Sequence, residues 1–69
     1  MTPKVLRQLW SVVETTQSHT LLKLDDPNLV QWLLKQINLQ LSLDPSENNI
    51  LSDYIYSRLS LIRDLAENR

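Results

Sequence analysis

The sequence predicts an all-α protein, a small three-helix bundle. Two observations carry that fold class. The chain's three prolines each stand just inside a segment whose preceding residue can cap a helix: Thr2-Pro3, Asp26-Pro27 and Asp44-Pro45. Proline is tolerated in the first turn because its missing N–H would have no intrahelical partner there. After each of these steps, apolar residues recur at intervals of three and four, the period of one helix face. A third observation narrows the alternatives. Glycine is absent, and with it the usual two-residue hairpin turns.

The first helix is expected over about residues 3–18. Val5, Leu6, Leu9, Val12, Val13 and Thr16 share one face. Its weak stretch is Val12-Val13-Glu14-Thr15-Thr16, where β-branched side chains lose rotamer freedom in a helix. The spacing of three to four favours helix over strand. Segment 18–24, Ser-His-Thr-Leu-Leu-Lys-Leu, reads as a connection or a ragged extension of that helix.

The second helix is expected over about 27–40. Asp25 is the candidate cap, with Leu24 and Leu29 flanking it as a hydrophobic staple. Leu29, Val30, Leu33, Leu34 and Ile37 form its inner face. The third helix is expected over about 45–66. Asp44 at N-cap, Pro45 at N1 and Glu47 at N3 make an aspartate version of the capping box. Leu51, Ile55, Leu59, Ile62 and Ala66 follow with 4-4-3-4 spacing. Unbroken, this helix would be roughly 30 Å long. Leu22-Lys-Leu24-Asp and Leu41-Ser-Leu43-Asp echo each other before two of the prolines. They read as leucine-bearing linkers into caps.

Composition excludes several classes of function. Sixty-nine residues allow one domain. Seven Lys+Arg against eight Asp+Glu give a net charge of −1, neither a basic nucleic-acid arm nor an acidic tail. Without cysteine there is no disulfide, thiolate metal site or thiol nucleophile. Without glycine there is no phosphate-cradling loop of the P-loop or dinucleotide-binding kind. The longest apolar run, Trp32-Leu33-Leu34, is far short of the roughly 20 residues of a membrane span. The N-terminal stretch has no apolar block of the secretory type. A cytoplasmic location is the expectation.

The apolar surface is wider than three helices need. On the second helix Trp32, Leu39 and, if helical so far, Leu43 extend the apolar arc to roughly 200°, where one-sided packing needs little more than about 100°. On the third, Ile50, Tyr54, Leu61 and Leu65 widen the stripe on one side, and Tyr56 lies beyond the other. A domain of about 60 residues buries only about 60% of its unfolded surface, and no metal or disulfide is available as a staple. The expectation is a homodimer sealed by the second and third helices, with Trp32, Leu39, Tyr54, Arg58, Leu61 and Leu65 at the interface. Arg58 falls inside the apolar stripe. Its guanidinium is placed to stack on Tyr54 one turn earlier, to snorkel to water, or to meet a carboxylate across the interface, Glu47 of a second copy being one candidate.

No constellation points to catalysis. His19 has only Gln17, Ser18 and Thr20 beside it, and a metal or catalytic histidine needs convergent partners. Asp25 and Asp26 are better explained as caps than as a cation site. Asp53 and Asp64 are too far apart for paired acid–base work. The chain is therefore expected to be non-enzymatic and without cofactor: a protein-protein interaction or regulatory module, acting as a homodimer and presenting a helical surface to a larger protein. A small dimeric DNA-binding regulator and a structural subunit of a larger complex are the alternatives.

Overall fold

A computed structural model describes residues 2–68. The all-α class holds, with no strand among the described residues. The helices number five rather than three: α1 (Pro3–Thr15), α2 (Ser18–Lys23), α3 (Asp26–Gln40), α4 (Pro45–Ser57) and α5 (Leu59–Glu67).

All three predicted starts are formed. The Thr2 hydroxyl accepts from the Val5 N–H at 3.4 Å, Asp25 from the Asn28 N–H at 3.1 Å, and Asp44 from the Glu47 N–H at 2.8 Å. Each leaves one fewer unpaired donor at its helix start. Such a cap stabilises by about 1 kcal/mol.

Two boundaries differ from the sequence reading. The helix expected over 3–18 stops at Thr15, and the segment 18–24 holds a helix of its own. Thr16 and Gln17 between them are extended, with ψ of 140° and 141°. The hydroxyls of Thr15 and Thr16 turn back onto the Ser11 carbonyl at 3.0 Å and the Val12 carbonyl at 2.6 Å. Hydroxyls that bond back in this way compete with the helical ladder. The rod expected over 45–66 is also interrupted, at Arg58 (φ −115°, ψ 7°). There the Ser57 hydroxyl donates to the Tyr54 carbonyl at 2.6 Å, and the Arg58 N–H donates to Ile55 O at 2.9 Å, a tighter turn than the α-helical one. The break lets α4 pack on α3 while α5 packs on α2. Leu43 lies beyond the end of α3, in the linker to α4, half-buried.

One apolar core joins all five helices. Val5, Leu9 and Val13 enter it from α1, Leu21 from α2, and Leu29, Val30, Leu33, Leu34 and Ile37 from α3. Leu51 and Ile55 come from α4, and Leu59, Ile62 and Ala66 from α5. The 4-4-3-4 series thus stays in phase across the break. Leu24, Leu41 and Leu43 pack against the core from the linkers, whereas Leu22, the other leucine of the echo, lies within α2 and is exposed. No polar or charged residue is buried among the described residues.

Two polar devices fix the corners. Arg63 reaches from α5 to the α2–α3 corner. Its guanidinium donates to Leu21 O at 3.0 Å, Leu24 O at 2.9 Å and the Asp26 carboxylate at 2.8 Å. It supplies a C-terminal cap to α2, a helix too short to hold itself. Asn38 and Asn48 latch the α3–α4 linker. Asn38 Nδ2 donates to Leu34 O and Asn48 Oδ1, both at 2.8 Å, and Asn48 Nδ2 donates to the carbonyls of Leu43 and Asp44, both at 3.3 Å.

Candidate interaction surface

The core of α4 and α5 leaves a second apolar series one position earlier in the chain. Ile50, Tyr54, Arg58, Leu61 and Leu65 precede Leu51, Ile55, Leu59, Ile62 and Ala66 by one residue each. A residue one position earlier lies about 100° around a helix, so this series forms a flank beside the buried ridge. Ile50 is 52% exposed, Leu61 46% and Leu65 44%. Tyr54 is half-buried, with part of its ring packed on the core.

The fold faces this flank away from α3. The opposite flank of α4, with Asn48, Asn49 and Ser52, meets Gln31, Leu34, Lys35 and Asn38 of α3. Ile50 instead lies beside the first turn of α1, where it lines a cleft of about 130 Å³ with Thr2, Val5 and Glu47. No residue between Tyr54 and Leu65 on the flank carries a charge except Arg58. Its guanidinium carbon sits 5.1 Å from the centre of the Tyr54 ring, as the one-turn spacing implies, and its Nη1 lies 3.5 Å from Ser57 Oγ. The cation therefore covers aromatic surface and leaves Leu61 and Leu65, both C-terminal to it, open.

The structure does not gather the six candidate residues into one patch. Tyr54, Arg58, Leu61 and Leu65 share the α4–α5 flank, which also includes Ile50. Trp32 lies on the other side of α3, half-buried, in the wall of a groove toward α1 of about 660 Å³. Gln8, Gln17, Gln36 and Gln40 line that groove together with Ser11, Thr15, Thr16 and Thr20. Leu39 is 71% exposed and follows Trp32 by seven residues, on the same flank of α3. Tyr56 is exposed on the outer side of α4, apart from the stripe.

Two residues gained importance that the sequence pattern did not signal. Arg63 holds three acceptors at the α2–α3 corner. Asn48 is half-buried in the linker latch. Neither has a local signature, since both act on carbonyls that only the tertiary fold brings near. His19, Asp53 and Asp64 are exposed. No helix is long and apolar enough to cross a membrane. Comparison with protein-family models, with curated proteins and with solved structures finds no match to this chain.

Proposed function

We propose that the protein is a non-enzymatic helical interaction module that works as a homodimer, with the α4–α5 flank as its seam. The observation that carries this reading is the line of Ile50, Leu61 and Leu65, each about half exposed beside an already filled core. A partner surface is the arrangement that removes this area from water. Tyr54 and Arg58 between them are residue types favoured as interface anchors. A net charge of −1 gives copies little reason to repel one another.

The seam spans roughly 20 Å along the helices and is one helix wide. That is less than the about 800 Å² per partner of a standard interface, so a reversible dimer with micromolar dissociation fits better than an obligate one. The flank of α3 that carries Trp32 and Leu39 stays outside this seam in both copies. It is the surface left for a larger protein. Leu61→Asp tests the reading directly, because a charge at a half-exposed site spares the monomer and disrupts a dry seam. Wild-type chain should sediment as a dimer at concentrations where this variant sediments as a monomer. Equal masses for the two would overturn the proposal.

A further inference from the structure

We propose that the groove between α1 and α3 is a binding site for a neutral saccharide, a glucose-configured pyranose lying flat on Trp32. The groove measures about 660 Å³, within the size range of small-molecule sites. No charged residue lines it, although 22% of the chain is charged. The proposal is independent of the dimer seam, because no residue of α4 or α5 belongs to the lining. Leu39 lies outside the lining as well, so the flank left for a larger protein stays open beside it.

The two walls follow from helical spacing. Trp32, Gln36 and Gln40 stand one turn apart along α3, and Gln8, Ser11 and Thr15 do so along α1. Val12, half-buried, is the other apolar residue of the lining. Gln8 and Gln36 are half-buried too. Neither amide hydrogen-bonds to another described residue, nor does the Trp32 indole N–H. The other groove of α3 differs, since its Asn38 and Asn48 amides bond to each other and to backbone carbonyls. The Thr15 hydroxyl is likewise engaged, on the Ser11 carbonyl. The glutamines beside Trp32 are therefore open, each with two amide donors and an acceptor oxygen.

This lining selects its ligand by chemistry. An ion would leave water for a site with no opposite charge, which is unfavourable. A wholly apolar ligand would cover the open amides and leave them unpaired. A hydroxyl is both donor and acceptor, as is a glutamine amide, so a polyol pairs with these walls in either sense. A pyranose with every ring substituent equatorial carries its hydroxyls around the rim and only C–H groups on its faces. One such face lies against the indole, whose negative π-face attracts the weakly positive C–H groups. The rim then reaches Gln8 on one wall and Gln36 on the other. An extended peptide also pairs donors with acceptors, but its side chains need apolar recesses, and this lining holds only Trp32 and Val12 of that kind.

Cellobiose is the probe, because both its rings have this configuration and it carries no charge. Titrated into the full chain and followed by proton–nitrogen NMR, it should shift the Trp32 indole signal and the Gln8 and Gln36 side-chain amides saturably. The dissociation constant should be on the order of a millimolar. Trp32→Ala should weaken binding roughly tenfold or more. Gln36→Leu keeps the bulk and removes the hydrogen bonds, and should weaken it about fivefold with an unchanged circular dichroism spectrum. This second variant keeps the test valid should Trp32→Ala disturb the core against which the indole packs. Tetraglycine offers amide donors and acceptors without a flat apolar face, and should leave the three signals in place. Absence of shifts with cellobiose, equal shifts with tetraglycine, or undiminished binding by Gln36→Leu would each overturn the proposal.

Discussion

Replacing Arg63 by alanine should destabilise the fold more than any other surface substitution in the chain. Its guanidinium holds two carbonyls and one carboxylate from the α2–α3 corner, 37 to 42 residues away in sequence. The three bonds are unequal. Asp26 is 61% exposed, so its ion pair contributes only about 0–1 kcal/mol. The bonds to Leu21 O and Leu24 O come from a charged donor that is 23% exposed, and charge-assisted bonds contribute about 1.5–3 kcal/mol each when buried. Partial exposure places these at or below the lower end of that range. The loss is therefore about 2–3 kcal/mol, against about 3–10 kcal/mol for the whole of a domain this size. The midpoint of thermal unfolding should fall on the order of 10–20 °C. Urea unfolding followed by circular dichroism measures it, at a protein concentration low enough that the proposed self-association would add no stability. Arg58→Ala is the control, since its guanidinium meets only a ring face and a hydroxyl. It should cost under about 0.5 kcal/mol. Equal losses for the two variants would refute the assignment of Arg63 as the corner clamp.

Other outcomes follow from the same geometry. Asn38→Ala removes the bonds to Leu34 O and Asn48 Oδ1, and should cost about 1–2 kcal/mol in urea unfolding; no change would show that water replaces the latch. Asp44→Ala should cost about 1 kcal/mol through the lost cap of α4, with a matching loss of protection at the Glu47 amide in hydrogen exchange. Leu61→Ala should leave monomer stability nearly unchanged. It should weaken dimerisation about thirtyfold in sedimentation equilibrium, because half of a leucine's burial is about 1 kcal/mol and each dimer loses it twice. Leu33→Ala, in the centre of the core, should cost about 3–5 kcal/mol and leave little folded chain.

Helix starts and the buried face were legible in the sequence because both depend on local chemistry. A capping side chain beside a proline needs no tertiary help, and Leu51, Ile55, Leu59, Ile62 and Ala66 announce one face by spacing alone. The break at Arg58 was not legible, since the apolar phase runs through it unchanged and neither glycine nor proline marks it. Ser57, whose hydroxyl bonds back to Tyr54 O, was the one local cue. The stop at Thr15 was better signalled, by the β-branched and hydroxyl-bearing run that ends α1. Of the surface, the sequence identified the flank with Tyr54, Leu61 and Leu65. It could not tell that Trp32 turns toward α1, because a helical wheel gives the angle of a side chain and not the neighbour it meets. Arg63 and the Asn38–Asn48 pair were invisible for the same reason, their partners being backbone carbonyls from other elements.

The central claim is that the α4–α5 flank of one copy is covered by another. Sedimentation equilibrium of the wild-type chain across a wide range of concentration tests it most directly. The weight-average mass should climb with concentration from the 8.1 kDa of a single chain toward twice that value. A mass that stays at 8.1 kDa into the high micromolar range would contradict it.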